Sequence, residues 1–266
     1  MRSDEYAKMY RLEDSHWWFR GKRELVATLL RRWAPRQEPA PRGLPSPRLL
    51  DVGCGTGKVL ELLGDFGNAM GCDFSPDAIG FCRERGPPFL VQASAAALPF
   101  AENSFSVTCL LDALYHQGIR DDVAVLREIH RILTPGGILI LTDSAFQFLY
   151  GPHDRAVHAR QRYSKGEIGA KLRLAGFIVR RLGYFNCVLF PLAAAVRLLD
   201  RWRNAEAATS SLSPAPAFLN RILFGILWLE SRLAAHVDLP FGLSVCAVAQ
   251  KPLTEENPQG IPPPPP

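Results

Sequence analysis

The run Leu49-Leu50-Asp51-Val52-Gly53-Cys54-Gly55-Thr56-Gly57 constrains this chain more than any other feature. An apolar strand ends in an acid and enters three glycines at alternating positions, and a helical pattern follows at once. Glycines there permit backbone angles closed to other residues and let a ligand approach the main chain, while the amides at the helix start face that ligand. A second acid, Asp73, ends the next apolar run, twenty residues after Gly53. An open α/β sheet places a ribose-binding carboxylate there. Asp73 is also readable as a cap for the helix that starts near Pro76. A dinucleotide loop wants a third glycine at position 58, where this chain has Lys; the GxGxG spacing suits a nucleoside without a pyrophosphate.

Short apolar runs alternate with longer amphipathic ones from residue 48 onward, the mark of βαβ units. Strands are expected at 48–53, 69–73, 88–92, 105–111, 137–142, 177–184 and 243–250, with helices at 57–64, 76–85, 121–133 and 165–175. The fourth of those helices is expected to end at Gly176, and the 121–133 helix at the breaker Thr134-Pro135-Gly136-Gly137. The expected fold is α/β, a doubly wound and mostly parallel sheet. Residues 1–33 read as a helical lid, with Trp17, Trp18 and Phe19 marking a break, and 34–47 as a Pro-rich linker. Residues 48–252 form the main domain, interrupted by an apolar helical insertion at 187–236, and 253–266 read as a disordered Pro-rich tail.

Composition narrows the function class. Of the 266 residues 47% are hydrophobic and 21% charged, which suits a globular domain with a sizeable core. The net charge of +5 suits anionic partners, but no basic run carries interleaved aromatics, so nucleic acid is not expected. The six cysteines show no CxxC and no metal-ligand spacing, so reduced thiols and no metal are expected. The N-terminus is charged and lacks an apolar core, and no run reaches the roughly 18 apolar residues that span a bilayer. A cytoplasmic protein is expected. The insertion helices at 187–199 and 217–235 are more apolar than a surface helix needs. Packing on each other and on the sheet is the favoured reading. A hydrophobic acceptor pocket, and peripheral contact with the inner membrane face, with Arg197, Arg201, Arg203 and Arg221 toward acidic headgroups, are the alternatives.

Asp51 to Gly57, Asp73, the segment Leu98-Pro99-Phe100-Ala101-Glu102-Asn103-Ser104-Phe105 and the segment Leu126 to Gly137 together resemble the class I S-adenosylmethionine-dependent methyltransferases. The resemblance covers roughly residues 48–184. It implies a seven-stranded sheet with an antiparallel last strand, for which 243–250 is suited, and S-adenosylmethionine as cofactor. Carried over, Gly53, Cys54, Gly55 and Gly57 would cradle the cofactor's methionine portion. Asp51 would orient the loop and the cofactor's amino group, and Asp112 would lie at the site's edge. Asp73 would hold the ribose, with Phe74 against the adenine. Ser94 stands where the family often has an acid for the adenine amino group, with Ala95 beside it. Ser15 to Arg23 resembles a leader found in a bacterial subset of these enzymes. It is readable as a lid, with Trp18 over the cofactor and Arg20 or Arg23 toward its carboxylate, or as a staple on the domain.

Methyl transfer needs an acceptor held in line, and a general base only where the acceptor must lose a proton. His116, just after the fourth strand, is the first candidate base, followed by His153 and His158, with Asp154 able to orient one of them. Tyr115, Asp143, Arg160, Arg162 and Tyr163 are candidate acceptor contacts, and each has a plain structural alternative. His130 and His236 read as structural. The expected activity is methyl transfer to a small-molecule acceptor of apolar or lipid-like kind. The alternatives are a non-methylating cyclisation or elimination in the same pocket, and a nicotinamide-dependent oxidoreductase.

Overall fold

A computed structural model describes residues 2–35, 47–86, 89–202 and 214–253. The expected linker at 34–47 and tail at 253–266 therefore lie almost wholly outside the described residues, as does Arg203. Seven strands make one sheet: β1 (Arg48–Val52), β2 (Asn68–Asp73), β3 (Leu90–Gln92), β4 (Phe105–Leu111), β5 (Leu133–Ser144), β6 (Ile178–Phe185) and β7 (Ser244–Gln250). Their order is β3-β2-β1-β4-β5-β7-β6. β1 to β5 pair in parallel, and β7 runs antiparallel between β5 and β6. The chain order reverses beside β1, and such a switch point opens a crevice at the carboxyl ends of the strands.

Nine helices are seen among the described residues: α1 (Ser3–Leu12), α2 (Trp17–Trp33), α3 (Lys58–Gly64), α4 (Pro76–Glu84), α5 (Asp122–Ile132), α6 (Pro152–Ala156), α7 (Lys165–Leu174), α8 (Phe190–Trp202) and α9 (Ala217–Ala234). Strand alternation divides the apolar side chains between two faces. Leu50, Leu110 and Leu139 face one core with Leu126 and Ile129 of α5 and Leu172 of α7. Leu49, Val107 and Ile140 face the other with Leu25 and Leu29 of α2, Leu63 of α3 and Leu227 of α9.

Three expectations change. Trp17, Trp18 and Phe19 do not break the N-terminal helix; they are the first turn of α2, and the break is at 13–16, where His16 caps α2 by accepting from Trp18 N. α2 is not a lid either, because Leu25, Val26, Leu29 and Leu30 are buried in the second core. The Thr134 to Gly137 breaker ends α5 as expected but lies inside β5. Register jumps there from Phe105↔Leu133 to Val107↔Ile138, so the Pro-Gly-Gly segment bulges out of a strand that has already begun.

Candidate active site

The glycine loop joins β1 to α3 at the switch point. Gly53 N and Cys54 N both donate to Cys72 O, at 2.7 and 3.0 Å, which ties the loop to β2. Gly53, Gly55 and Gly57 all have positive φ, at 76°, 54° and 86°. At Gly57 a side chain would also overlap Cys82 Sγ of α4. Cys54 itself is buried. Asp73 reaches back: its Oδ2 accepts from Gly55 N at 2.9 Å and its Oδ1 from Ser75 N at 2.8 Å. The cap of α4 is Ser75, whose side chain accepts from Ala78 N, so Asp73 braces the loop rather than capping the helix. A carboxylate has about four acceptor positions, so room remains for ribose hydroxyls.

Asp51 is 2% exposed, and its Oδ1 has no hydrogen-bond partner among the described residues. Burial, and then the charge of Asp73, push its carboxyl up to about 7. A buried acceptor left bare is rare and marks a place for a donor. The bare Asp51 oxygen, the glycine cradle and the Asp73 brace fit an amino-acid nucleoside such as S-adenosylmethionine. Phe74 is exposed directly after Asp73. Ser94 spends its hydroxyl on its own turn, accepting from Ala96 N at 3.2 Å, while Ala95 is half-buried against the first core.

The N-terminal segment lies over this loop. Met9 Cε of α1 is 2.9 Å from where a Cβ on Gly55 would stand. Tyr6 is buried, and burial with the nearby charge of Asp73 pushes its hydroxyl up to about 12. Behind α1, the buried Glu13 accepts from Thr56 Oγ1 and from Arg85 Nη2, and Arg85 Nε donates to Thr56 O at 3.0 Å. Lys58, where a dinucleotide loop would carry glycine, pairs with Asp14 at 2.6 Å. Its position thus tethers the α1–α2 turn to the loop.

Two leader residues land elsewhere than expected. The Arg20 guanidinium stacks on the Phe224 ring of α9, 3.9 Å from its centroid. Arg23 donates to Glu13 O at 2.6 Å. The leader cation that reaches the ends of the strands is Lys22, unremarked in the sequence, which pairs with Asp112 at the end of β4. Trp18 lies one turn before Lys22, its ring 5.3 Å from the ammonium, and packs on the second core. That i, i+4 spacing, on a helix whose neighbours are apolar, was the available signal.

On the acceptor side His116 and His158 come together, with ring centroids 6.1 Å apart. Gly118 N donates to His116 Nδ1 at 3.1 Å. Burial, and the neighbouring His158, lower the His116 imidazole to about 4, so it is neutral near pH 7. His158 is lowered too, chiefly by burial, and has a positive φ of 57°. His153, on α6, is lowered by burial and then by Arg197 of α8.

The other candidates are held by the fold. Arg162 is buried and forks onto Asp154, Nε to Oδ1 at 2.9 Å and Nη2 to Oδ2 at 3.0 Å, so neither is free for an acceptor or a histidine. Tyr163 is fully buried and donates to Leu114 O. Arg160 pairs with Asp122 of α5 at 2.6 Å. Asp143 is fully buried and accepts from Ser144 N and Tyr115 N, which joins the ends of β5 and β4; burial and then Asp112 raise it well above the carboxylate range. Tyr115 is half-buried and packs against the first core.

Residues 50–141 match a family described as a methyltransferase domain. The demethylmenaquinone methyltransferase of Geobacillus kaustophilus is 31% identical over 114 residues, 39% of this chain and 48% of that protein. The chain thus spans about half the length of the curated relatives it matches. Among solved structures, a chain from the complex between the Haloferax volcanii Trm112 methyltransferase activator and a methyltransferase superposes with a TM-score of 0.59, at 19% identity over 96% of both chains. The [4+2]-cyclase SpnF superposes with a TM-score of 0.53, at 21% identity over 86% of this chain and 81% of that one. Strand order, glycine loop and acid brace agree with that match: over residues 50–141 the chain matches a methyltransferase domain.

Proposed function

We propose that the protein binds S-adenosylmethionine on the glycine loop and transfers its methyl group to a small apolar or lipid-like acceptor. The observation that carries the reading is the bare, buried Asp51 oxygen beside a loop braced by Asp73. When bound, the cofactor supplies an electrophilic methyl on a sulfonium. Asp51 accepts from the cofactor's ammonium, Asp73 from the ribose hydroxyls, and the loop glycines leave space for the chain between them. α1, with Met9 and Tyr6 over the loop, closes the pocket and excludes water. Lys22 holds Asp112 in place at the end of β4. His116, neutral near pH 7, takes a proton where the acceptor is a hydroxyl or an acidic carbon.

The apolar acceptor is supported by the exposed apolar helices α8 and α9, which leave β6 and return to β7 at the end of the sheet that carries Asp112 and Asp143. The relatives named demethylmenaquinone methyltransferase point the same way. The test is incubation with methyl-labelled S-adenosylmethionine and fractionated cell extract. Label entering the organic phase supports an apolar acceptor, and label confined to water-soluble metabolites contradicts it. A second reading has one observation in its favour, the superposition on a cyclase. Under that reading product forms in the presence of cofactor while no label moves.

A further inference from the structure

The insertion between β6 and β7 holds a large exposed apolar surface. α9 buries Leu227, Glu230 and Ser231 on one side. On the other it presents Phe218, Ile222, Leu229 and Leu233, with Phe218 77% and Leu229 66% exposed. Steps of four, seven and four residues keep these four on one side of a 3.6-residue helix. Arg221, Trp228 and Arg232 follow the same steps along one border, with the Arg232 guanidinium 4.5 Å from the Trp228 ring centroid. α8 repeats the pattern with Leu192, Val196 and Leu199, of which Leu192 is 69% exposed.

The charges on α9 are sorted. Its one carboxylate, Glu230, is buried and accepts from Cys187 N at 2.6 Å. Both of its arginines are exposed, and Arg221 has no ion pair among the described residues. Arg232 has only a loose contact with Glu24 at 3.6 Å. The outer side of α9 therefore carries apolar and cationic groups and no acid of its own, with Glu24 of α2 beside Arg232. Arg197, by contrast, turns inward to Leu149 O and Asp154, so it does not serve as the headgroup contact that the sequence suggested.

We infer that the α8–α9 face docks on an anionic lipid bilayer, α9 lying in the headgroup plane. An apolar stripe bordered by arginine and tryptophan is the pattern of a helix that rests in the membrane interface. No helix among the described residues is long and apolar enough to cross a membrane, so the contact is peripheral. A second copy of the chain fits the stripe less well. A two-fold contact is self-complementary and would gather Arg221 and Arg232 from both copies, with Glu24 of α2, 3.6 Å from Arg232, as the acid beside them. The docked face also adjoins the acceptor side. Phe146, just beyond β5, lies 5.6 Å from Phe190 of α8, and Phe190 lies 5.4 Å from Phe241, ring to ring. A chain of aromatic contacts so runs from the end of β5 to the start of α8 and the turn before β7.

The docking stands apart from the acceptor reading, because vesicle binding is measured without turnover. The full chain is floated with vesicles of phosphatidylcholine alone and of phosphatidylcholine mixed with phosphatidylglycerol. Flotation with the mixed vesicles is expected, at least about tenfold above that with phosphatidylcholine alone and weakened by salt. Ile222→Glu with Leu229→Glu should abolish it, and Arg221→Glu with Arg232→Glu should weaken it at least about tenfold. Unchanged thermal unfolding and cofactor affinity show that these variants keep their fold. Failure of the wild type to float with the mixed vesicles overturns the inference, as does flotation of the apolar variants at the wild-type level. So does a wild-type dimer in sedimentation that Leu229→Glu dissociates, which would give the stripe to a second copy.

Discussion

Asp51 joins binding to pH. Its folded carboxyl is pushed up to about 7, while an unfolded aspartate titrates near about 3.9. Between those values the folded protein holds the extra proton, so this residue's contribution favours the fold in acid and fades as pH rises to 7. The cofactor's ammonium needs the ionised carboxylate. Affinity for S-adenosylmethionine should therefore rise with pH by up to about tenfold per unit below 7 and level off above it. Calorimetry across pH checks this, and Asp51→Asn should bind weakly with a flat profile. The residues of the loop were legible in the sequence because glycine spacing and strand-end acids act through the backbone, which local sequence dictates. Arg160, Arg162 and Tyr163 stood out in the sequence because a dense run of polar groups looks like a site. Burial had already matched Arg162 to Asp154 and Tyr163 to Leu114 O. Arg162→Ala should leave the Asp154 charge buried, with only Arg197 at 3.6 Å to face it. It should cost about 3–5 kcal/mol in urea unfolding, with the cofactor affinity of the folded fraction unchanged.

Between elements, the contact of α2 with α9 rests on a missing side chain. A Cβ on Gly21 would overlap Leu227 Cδ1, so the two helices meet at the glycine. Asn220 ties the same pair, its Oδ1 accepting from Trp17 N at 2.7 Å and its Nδ2 donating to Ser15 O at 2.8 Å. Gly21→Ala should cost about 1–3 kcal/mol by overpacking. Leu227→Ala alone should cost about 2–5 kcal/mol, and the double variant less than the sum, as thermal unfolding of the four proteins would show. The leader is thus fixed by α9, some two hundred residues downstream, a partner that local sequence cannot disclose. The same limit explains the misplaced break in the N-terminal helix. Three aromatics in a row look like an interruption until α9 and the second core supply the surface they pack on. The start of β5 was missed for a related reason: Pro135 and Gly136 end a helix by local rules, but the strand pairing of Leu133 with Phe105 is a long-range contact.

The whole molecule is a seven-stranded sheet with two additions, an N-terminal strap over the glycine loop and a helical insertion between β6 and β7. The βαβ units were legible in the sequence because short apolar runs alternate with amphipathic ones, and the antiparallel last strand was implied by the resemblance. The additions touch each other where the Arg20 guanidinium of α2 stacks on the Phe224 ring of α9. The central claim is that the glycine loop, under α1, binds S-adenosylmethionine. Calorimetric titration of the intact protein with S-adenosylmethionine and S-adenosylhomocysteine tests it most directly, with NAD as control and Asp73→Ala beside the wild type. Micromolar binding of both sulfur nucleosides, lost in the variant and absent for NAD, is the predicted result. No binding of either nucleoside by the folded wild type, or binding of NAD in their place, would contradict it.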